Sequence, residues 1–347
     1  MKITGIKVLK KDAEKIILKI KEENNFNSEY KIKKEKNHII IPIKKKTKNL
    51  EKHIIETIKN PEKQKKIGFS YKDFLLNEKI SKKILKELPS SYDIVGDIII
   101  INIQNKEIIK KHKKLIGKSL LKIHPHVKTI LNKEKEHHGK YRTQDLTYLY
   151  GEKRKETIIK ENDCLLKTDV EKVFFSTRLV TERKRIAEQV KKGEIVGVFF
   201  AGVGPFAIEI VKLSKPKEVV AIELNPVGYK YLKENIKLNK MEDKIIPIKG
   251  DVKKKYKDYK DYFNRISMPL PKSAENFLDQ AIYSVKDKGI IHIYNFVSKN
   301  DPYKEITKII KEKEIKNKCK IKIINKKILR SFSKTTVQIV MDLKISK

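Results

Sequence analysis

A chain of 347 residues exceeds one comfortable hydrophobic core and implies two or three domains. Lys and Arg total 82 against 44 Asp and Glu, a formal net charge of +38 spread along the chain; such an excess repels itself and points first to a polyanion such as nucleic acid as partner, with a lysine-rich proteome and compensating internal salts as the alternative. Two cysteines with no CxxC, no stretch near the ~20 apolar residues of a membrane span, and no apolar core in the first residues argue against a disulfide scaffold, a thiolate metal centre and a secreted or membrane chain; a soluble cytoplasmic protein is expected.

Residues 1–45 read as a small βαββ module. The strand ITGIKVL precedes a helix with Asp12 as its expected cap, in which Ala13, Ile16, Ile17 and Ile20 fall at i, i+3, i+4 and i+7 and form one apolar face. EYKIKKE and NHIIIPIK supply two short alternating strands. The charge-dense, weakly periodic stretch 46–67 has the composition of a linker or an exposed helix and is expected to be a linker. A middle α+β domain is expected over 68–160, with a helix through KDFLLNEKISKKILKEL, a strand SYDIVGDIIIINI and a helix EIIKKHKKLIGKSLL. The histidines His124, His126, His137 and His138 lack cysteine or acidic partners at metal-ligand spacing and are read as loop and surface residues.

From 161 to 347, β and α segments alternate: IVGVFF, a helix after Gly204, EVVAIEL, a helix opened by Pro226, then KIIPIKG, RISM and GIIHIYNF, with two strands at the end lacking an intervening helix. That alternation predicts a doubly wound, Rossmann-like α/β sheet, mostly parallel and closing in an antiparallel hairpin. Ligands of such sheets sit at the carboxyl ends of the strands. There FAGVGPF offers Gly202 and Gly204, but neither the lysine of a phosphate-binding GxxxxGK[ST] loop nor the third glycine of GxGxxG. Glu223 ends the second strand, about twenty residues on, where a carboxylate accepts both hydroxyls of a ribose. Asp251 ends the third, placed for an adenine amino group. Glycine loop, acid and acid together describe a site for adenosine without phosphates, and S-adenosylmethionine is the candidate cofactor, with Phe200, Ala201, Gly202, Val203, Gly204, Glu223, Leu224, Asn225, Asp251 and Val252 as its expected wall.

With SYDIVGDIIII, HGKYRTQDLTYLYGE, VEKVFFSTRLVTERKRI, FAGVGPFAIEI, AIELNP and ENIKLNK in view, the sequence resembles the archaeal and eukaryotic type of tRNA (guanine-37, nitrogen 1) methyltransferase over nearly its whole length. The resemblance implies a class I S-adenosylmethionine-dependent methyltransferase domain and an N-terminal module that checks the outer corner of the tRNA; one module on one tRNA needs only a monomer, which is the expected state. It gives Glu182 as the base that takes the guanine proton and Arg142 as the arginine that steadies charge on the guanine oxygen. Arg178 and Arg183 become candidates to hold the cofactor carboxylate or a tRNA phosphate, and Phe174 stands where relatives often have tyrosine.

This chain departs from the family pattern at two places. Val198 occupies the position of the usual acid before the glycine loop. Pro269, Leu270 and Pro271 stand where guanosine-specific relatives carry Asn-Leu-Pro, and proline offers no side-chain hydrogen bond. A base pocket of Phe174, Pro269, Leu270 and Pro271 is therefore expected to be permissive, as in the archaeal subgroup that also methylates carbon 7 of 4-demethylwyosine in phenylalanine tRNA. Two other readings are an aminocarboxypropyl transferase of the same pathway and a catalytically silent tRNA-binding protein.

Overall fold

The computed structural model describes residues 2–23, 25–27, 29–45, 54–59, 61, 70–135 and 138–347. The chain divides into two compact units, residues 1–74 and 75–347.

In the first unit β1 (Lys2–Leu9), β2 (Lys33–Lys34), β3 (His38–Pro42) and β4 (Ile54–Lys59) form an antiparallel sheet in the order β2-β3-β1-β4. Helix α1 (Ala13–Glu22) turns Ile20 into a core with Ile6, Val8, Ile39 and Ile41, as its apolar periodicity requires. Two expectations are corrected here. Asp12 lies inside a 3-10 turn, Lys10–Asp12, ahead of the helix. The stretch expected as linker contains β4, which pairs along β1 from Lys2↔Lys59 to Lys7↔Ile54; the rest of it lies mostly outside the described residues.

The single helix expected near residue 80 is two, α2 (Tyr71–Asn77) and α3 (Lys82–Glu87), because Lys79 takes a positive φ of 60° and Ser81 caps the second. The single expected strand is likewise a hairpin, β5 (Asp93–Val95) and β6 (Ile98–Ile101), turning at Gly96 with φ 57°. Helix α4 (Lys106–Ile123) then crosses over so that β7 (Thr129–Lys133) runs parallel to β6, and β8 (Leu146–Gly151) completes the order β5-β6-β7-β8. Gly117 lets α4 approach β8 closely: a Cβ there would sit 2.3 Å from the Tyr150 Cβ. A second hairpin, β9 (Glu156–Glu161) and β10 (Cys164–Asp169), turns at Asn162 and Asp163, both with positive φ, so the expected domain boundary at 160/161 falls inside a paired unit.

After α5 (Val180–Gln189) come β11 (Ile195–Phe199), α6 (Pro205–Leu213), β12 (Glu218–Glu223), α7 (Pro226–Leu238), β13 (Ile245–Lys249), α8 (Val252–Lys255), β14 (Phe263–Met268), α9 (Leu278–Ser284), β15 (Val285–Ser298), α10 (Lys304–Lys316), β16 (Lys320–Ser331) and β17 (Thr336–Ser346). Their sheet runs β13-β12-β11-β14-β15-β17-β16, with β11 to β15 parallel and β17 antiparallel between β15 and β16. This is a doubly wound, Rossmann-like α/β sheet. Every residue of β11 is buried because helices cover both faces: Val196 and Val198 point into one core, Ile195 and Phe199 into the other. Strand order reverses between β11 and β14, which opens a crevice at their carboxyl ends.

Candidate functional site

Two adjoining cavities occupy the second unit. The smaller, about 440 Å³, is lined by Phe200 and Gly202 after β11, residues 222–225 at the end of β12, residues 250–253 after β13, and Pro269, Leu270 and Phe277 after β14. That volume lies within the ~300–1,000 Å³ of small-molecule sites. The larger, about 860 Å³, extends past β5 and β6 to Phe175, Arg178, Phe296, Arg330 and Phe332. Gly139, Arg142, Phe174 and Lys272 line both.

The loop after β11 is shaped by backbone geometry. Phe200, at φ 64°, is one of the described non-glycine residues in the left-handed region, and its ring packs edge-on against Phe277 at 4.7 Å. Such strain in a cavity wall is characteristic of functional sites. Gly202 follows at φ 59°, and a Cβ there would come near only the Phe174 carbonyl at 3.8 Å, so its conformation and not crowding calls for glycine. The Gly202 amide donates to Glu223 Oε2 at 2.6 Å, and the Asn225 amide donates to Glu223 Oε1 at 2.6 Å. Glycine loop and acid are thus one locked unit, and with three backbone amides on its two oxygens the carboxylate still has acceptor capacity for a further donor. Burial pushes the Glu223 carboxyl up from its ordinary value, opposed by the amides of Asn225, Gly202 and Leu224. Asn225 caps α7 through Val227 and ties it to the Lys172 carbonyl at 2.8 Å. Asp251 caps α8 by accepting from the Lys253 amide at 2.9 Å while lining the cavity.

At the junction of the cavities the Arg142 guanidinium lies 4.5 Å over the Phe174 ring. Arg142 has φ 54° in a tight loop, its amide donating to Gly139 O at 3.2 Å. Burial, and then the neighbouring Arg330, push its pKa down from that of an ordinary arginine.

Several expected site residues stand elsewhere. Glu182 lines neither cavity: it is buried on α5, bound to Arg185 through both oxygens at 2.7 and 2.8 Å, and accepts the Tyr294 hydroxyl at 2.9 Å. Arg185 also holds Asp342, which meets His292 Nδ1 at 2.6 Å. Since an arginine only donates, the Arg265 contact to His292 Nε2 at 2.8 Å makes that nitrogen the acceptor and puts the ring proton on Nδ1, toward Asp342. Arg183, a candidate for the cofactor carboxylate or a tRNA phosphate, is corrected to a buried structural cation: it is 2 % exposed and pairs with Glu161 and Glu209. Ala201 and Val203 are buried behind the loop, and Gly204 opens α6 at φ 92°, where a Cβ would meet Leu232 Cδ1 at 2.5 Å. Pro271 lines neither cavity, and its carbonyl accepts from the Phe296 amide at 2.7 Å. Val198 is core. His124 meets the Tyr92 hydroxyl at 2.7 Å and His138 meets Asp145 at 3.2 Å; His137 lies outside the described residues. Among the described residues no His/Cys/Asp/Glu cluster suits a metal, and no helix is long and apolar enough to cross a membrane.

Sequence reading missed Ile222, Gly250, Lys253, Phe277 and the 139–141 loop as cavity wall. It also missed Gly228, where a Cβ would press on Glu223 Cγ at 3.2 Å. Only the glycine in NPVG carried a readable hint.

This geometry can be compared with known proteins. Residues 157–324 match the TRM5/TYW2 methyltransferase domain, 72–154 the TYW2 N-terminal domain and 5–51 the tRNA methyltransferase 5 N-terminal domain. The chain belongs to the TRM5/TYW2 methyltransferase family. Its cofactor is S-adenosylmethionine. The chain is 37 % identical over 342 residues to the tRNA (guanine(37)-N(1))-methyltransferase Trm5b of Pyrococcus abyssi, covering 99 % of each. The crystal structure of that Trm5b superposes with a TM-score of 0.74 at 36 % identity over 99 % of this chain and all of that one. A solved complex of aTrm5 and tRNALeu gives a TM-score of 0.70 at 34 % identity, covering 98 % of this chain and 99 % of that one. The tRNA (guanine(37)-N(1))/4-demethylwyosine(37)-methyltransferase Taw22 of Nanoarchaeum equitans is 34 % identical over 270 residues, 63 % of this chain and 88 % of Taw22.

The smaller cavity fits the family's cofactor. Its glycine cradle lacks a Cβ at Gly202, its buried Glu223 keeps acceptor capacity for a ribose hydroxyl, and Asp251 adds a second acceptor.

Proposed function

We propose that this protein methylates nitrogen 1 of guanosine at tRNA position 37, and carbon 7 of 4-demethylwyosine at the same position of phenylalanine tRNA, acting in the cytoplasm as a monomer. The single observation that carries the reading is the junction of the two cavities: a cofactor-sized pocket opens beside an arginine- and aromatic-lined one, with Arg142 and Phe174 as their common wall. The names of the relatives and the net charge of +38 support tRNA as the substrate.

When bound, S-adenosylmethionine supplies a methyl group on a sulfonium, which departs as a neutral thioether. In this reading Gly202 and Phe200 admit the cofactor against bare backbone, Glu223 accepts from its ribose, and Asp251 and Val252 border its adenine. Phe174 bears on the target base. Arg142 donates to the guanine oxygen, where negative charge develops as nitrogen 1 loses its proton, and its fixed fork suits that task. Arg178 faces RNA from the larger cavity. Glu182 remains the proposed proton acceptor. Its carboxylate becomes available once RNA binding opens the Arg185 pair, since catalytic contacts commonly tighten only in the substrate complex.

The N-terminal module, extended by β4 to Lys59, engages the outer corner of the tRNA in this proposal. The test is nucleoside mass spectrometry after incubation with S-adenosylmethionine and phenylalanine tRNA bearing guanosine or 4-demethylwyosine at position 37. Methyl on both is expected. Aminocarboxypropyl on the tricycle, or binding with no product, would replace this reading by one of its two rivals.

A further inference from the structure

We propose that Arg330 and Phe332, on the hairpin joining β16 to β17, form a second nucleotide subsite in the larger cavity: Phe332 stacks on the base next to the methylated one and Arg330 binds its phosphate. This rests on the reading of the protein as a tRNA methyltransferase.

The larger cavity reaches well beyond the Arg142–Phe174 junction where the target base belongs, and its far wall is this hairpin. Phe332 is 55 % exposed yet held in place. Its ring packs on Phe296 at 4.3 Å, and its amide donates to the Thr336 carbonyl at 2.9 Å in a turn that Ser333 Oγ closes by accepting from the Thr335 and Thr336 amides. One exposed phenylalanine is unremarkable on a protein surface. Here it stands in a cavity wall with a guanidinium 5.9 Å from its ring centroid.

That guanidinium is also held. Arg330 Nε donates at 2.8 Å to Oε1 of Gln338, a buried residue, which leaves the two terminal nitrogens for another acceptor; among the described residues no carboxylate pairs with them. Arg142, Arg178 and Arg330 share the cavity, and among the described residues only Arg178 of the three has a carboxylate partner, Asp93 at 2.6 Å. Burial and Arg178 push the Arg330 pKa down from the ordinary arginine value. Like charges gathered in a half-buried wall are compensated by an anion, and an aromatic ring beside them selects an anion that carries a base. Single-stranded RNA has both at each nucleotide, and stacking on aromatic side chains is how proteins hold unpaired bases.

The experiment uses the full chain and anticodon stem-loop RNAs carrying 2-aminopurine immediately before or after position 37. Wild type is expected to quench one of the two probes. Phe332→Ala should abolish that quenching and weaken RNA binding by roughly 5- to 150-fold, with calorimetric S-adenosylmethionine affinity unchanged, while Phe332→Tyr restores both. Arg330→Gln should keep the quenching and lower the slope of log affinity against log salt by roughly 1. Unchanged quenching and affinity in Phe332→Ala, or an unchanged salt slope in Arg330→Gln, would overturn the subsite. Methyl transfer, assayed in parallel, separates the two readings: quenching lost in Phe332→Ala with no transfer even by wild type supports the subsite and refutes only the catalytic proposal.

Discussion

The guanidinium of Arg142 rests 4.5 Å above the ring of Phe174, at the place where the two cavities meet. A planar cation stacked on an aromatic face is fixed in orientation, and its remaining donors point along a defined fork. Arg142→Lys keeps the charge and loses the fork. Removing one donor of an oxyanion site typically costs ~10²–10³ in rate, so single-turnover methylation of guanosine 37 should fall by that factor with RNA affinity little changed. A wild-type rate in the lysine variant would remove Arg142 from the chemistry.

The Glu223 carboxylate both fixes the glycine loop and faces the cofactor cavity. Hydrogen bonds to charged groups contribute ~1.5–3 kcal/mol each, so Glu223→Ala should weaken S-adenosylmethionine binding roughly 10- to 100-fold in a calorimetric titration. Gly228→Ala presses a methyl against Glu223 Cγ at 3.2 Å and should weaken binding less, by shifting the carboxylate without deleting it. Equal affinity in wild type and Glu223→Ala would place the cofactor elsewhere.

What could be read in the sequence follows from how local each signal is. β11, β12 and β13 are apolar runs that end in glycine or acid, so the nucleoside pocket was legible from FFAGVGPF, AIEL and IKGD. β5 and β6 merged into one expected strand although Gly96–Asp97 is a recognisable two-residue turn, because apolar residues flank it on both sides and the strand before it is only three residues long. The β9–β10 hairpin escaped notice although Asn162–Asp163 is a recognisable two-residue turn, since its alternation is masked by lysines and glutamates on the exposed face. The fate of Arg183 was not legible at all. Its partners Glu161 and Glu209 come from a different strand and helix, and only the fold brings them to it.

That buried cluster has a pH signature. Burial, and then the adjacent Glu161 carboxyl, push Glu209 up to about 8 from an ordinary 4.5. A raised carboxyl means that the folded state holds a proton the unfolded chain releases, so this group's contribution is full below about pH 4.5 and is lost as pH rises through about 8. Glu209→Gln keeps a neutral donor beside Glu161. Its Tm should decline less than that of wild type over this window and exceed it above pH 8. Parallel Tm curves for the two proteins would show that Glu209 does not titrate there.

Glu182 is a sharper case, because it is buried in a network and is also the proposed base. Deleting it leaves the Tyr294 hydroxyl without its acceptor and Arg185 with Asp342 alone, and breaking a buried pair costs about 3–5 kcal/mol, so a drop in activity of Glu182→Ala would be uninformative. Glu182→Gln keeps an acceptor for the Tyr294 hydroxyl, and Arg185 keeps Asp342. Loss of a general base costs ~10²–10⁴ in rate. The glutamine variant should therefore stay folded, bind cofactor normally and lose single-turnover rate within that range. If it methylates at the wild-type rate, Glu182 is a network carboxylate and the proton leaves by another route.

Pro269 tests which bases the pocket admits. It lines the cofactor cavity, and the next amide, that of Leu270, donates to the Met268 carbonyl at 2.7 Å, so the turn is tight and offers the base no side-chain donor. An asparagine at this position would have to be satisfied by the base it faces. A site built to hydrogen-bond one ligand strongly rejects an analogue that leaves its polar group unpaired. Guanine presents polar edges that 4-demethylwyosine has closed into its third ring. Pro269→Asn should thus retain methylation of guanosine and lose methylation of carbon 7, as read by nucleoside mass spectrometry on the two tRNAs. Both products at wild-type yield would mean that the breadth of the pocket is set by the Phe174 and Leu270 walls, and that the proline is incidental to it.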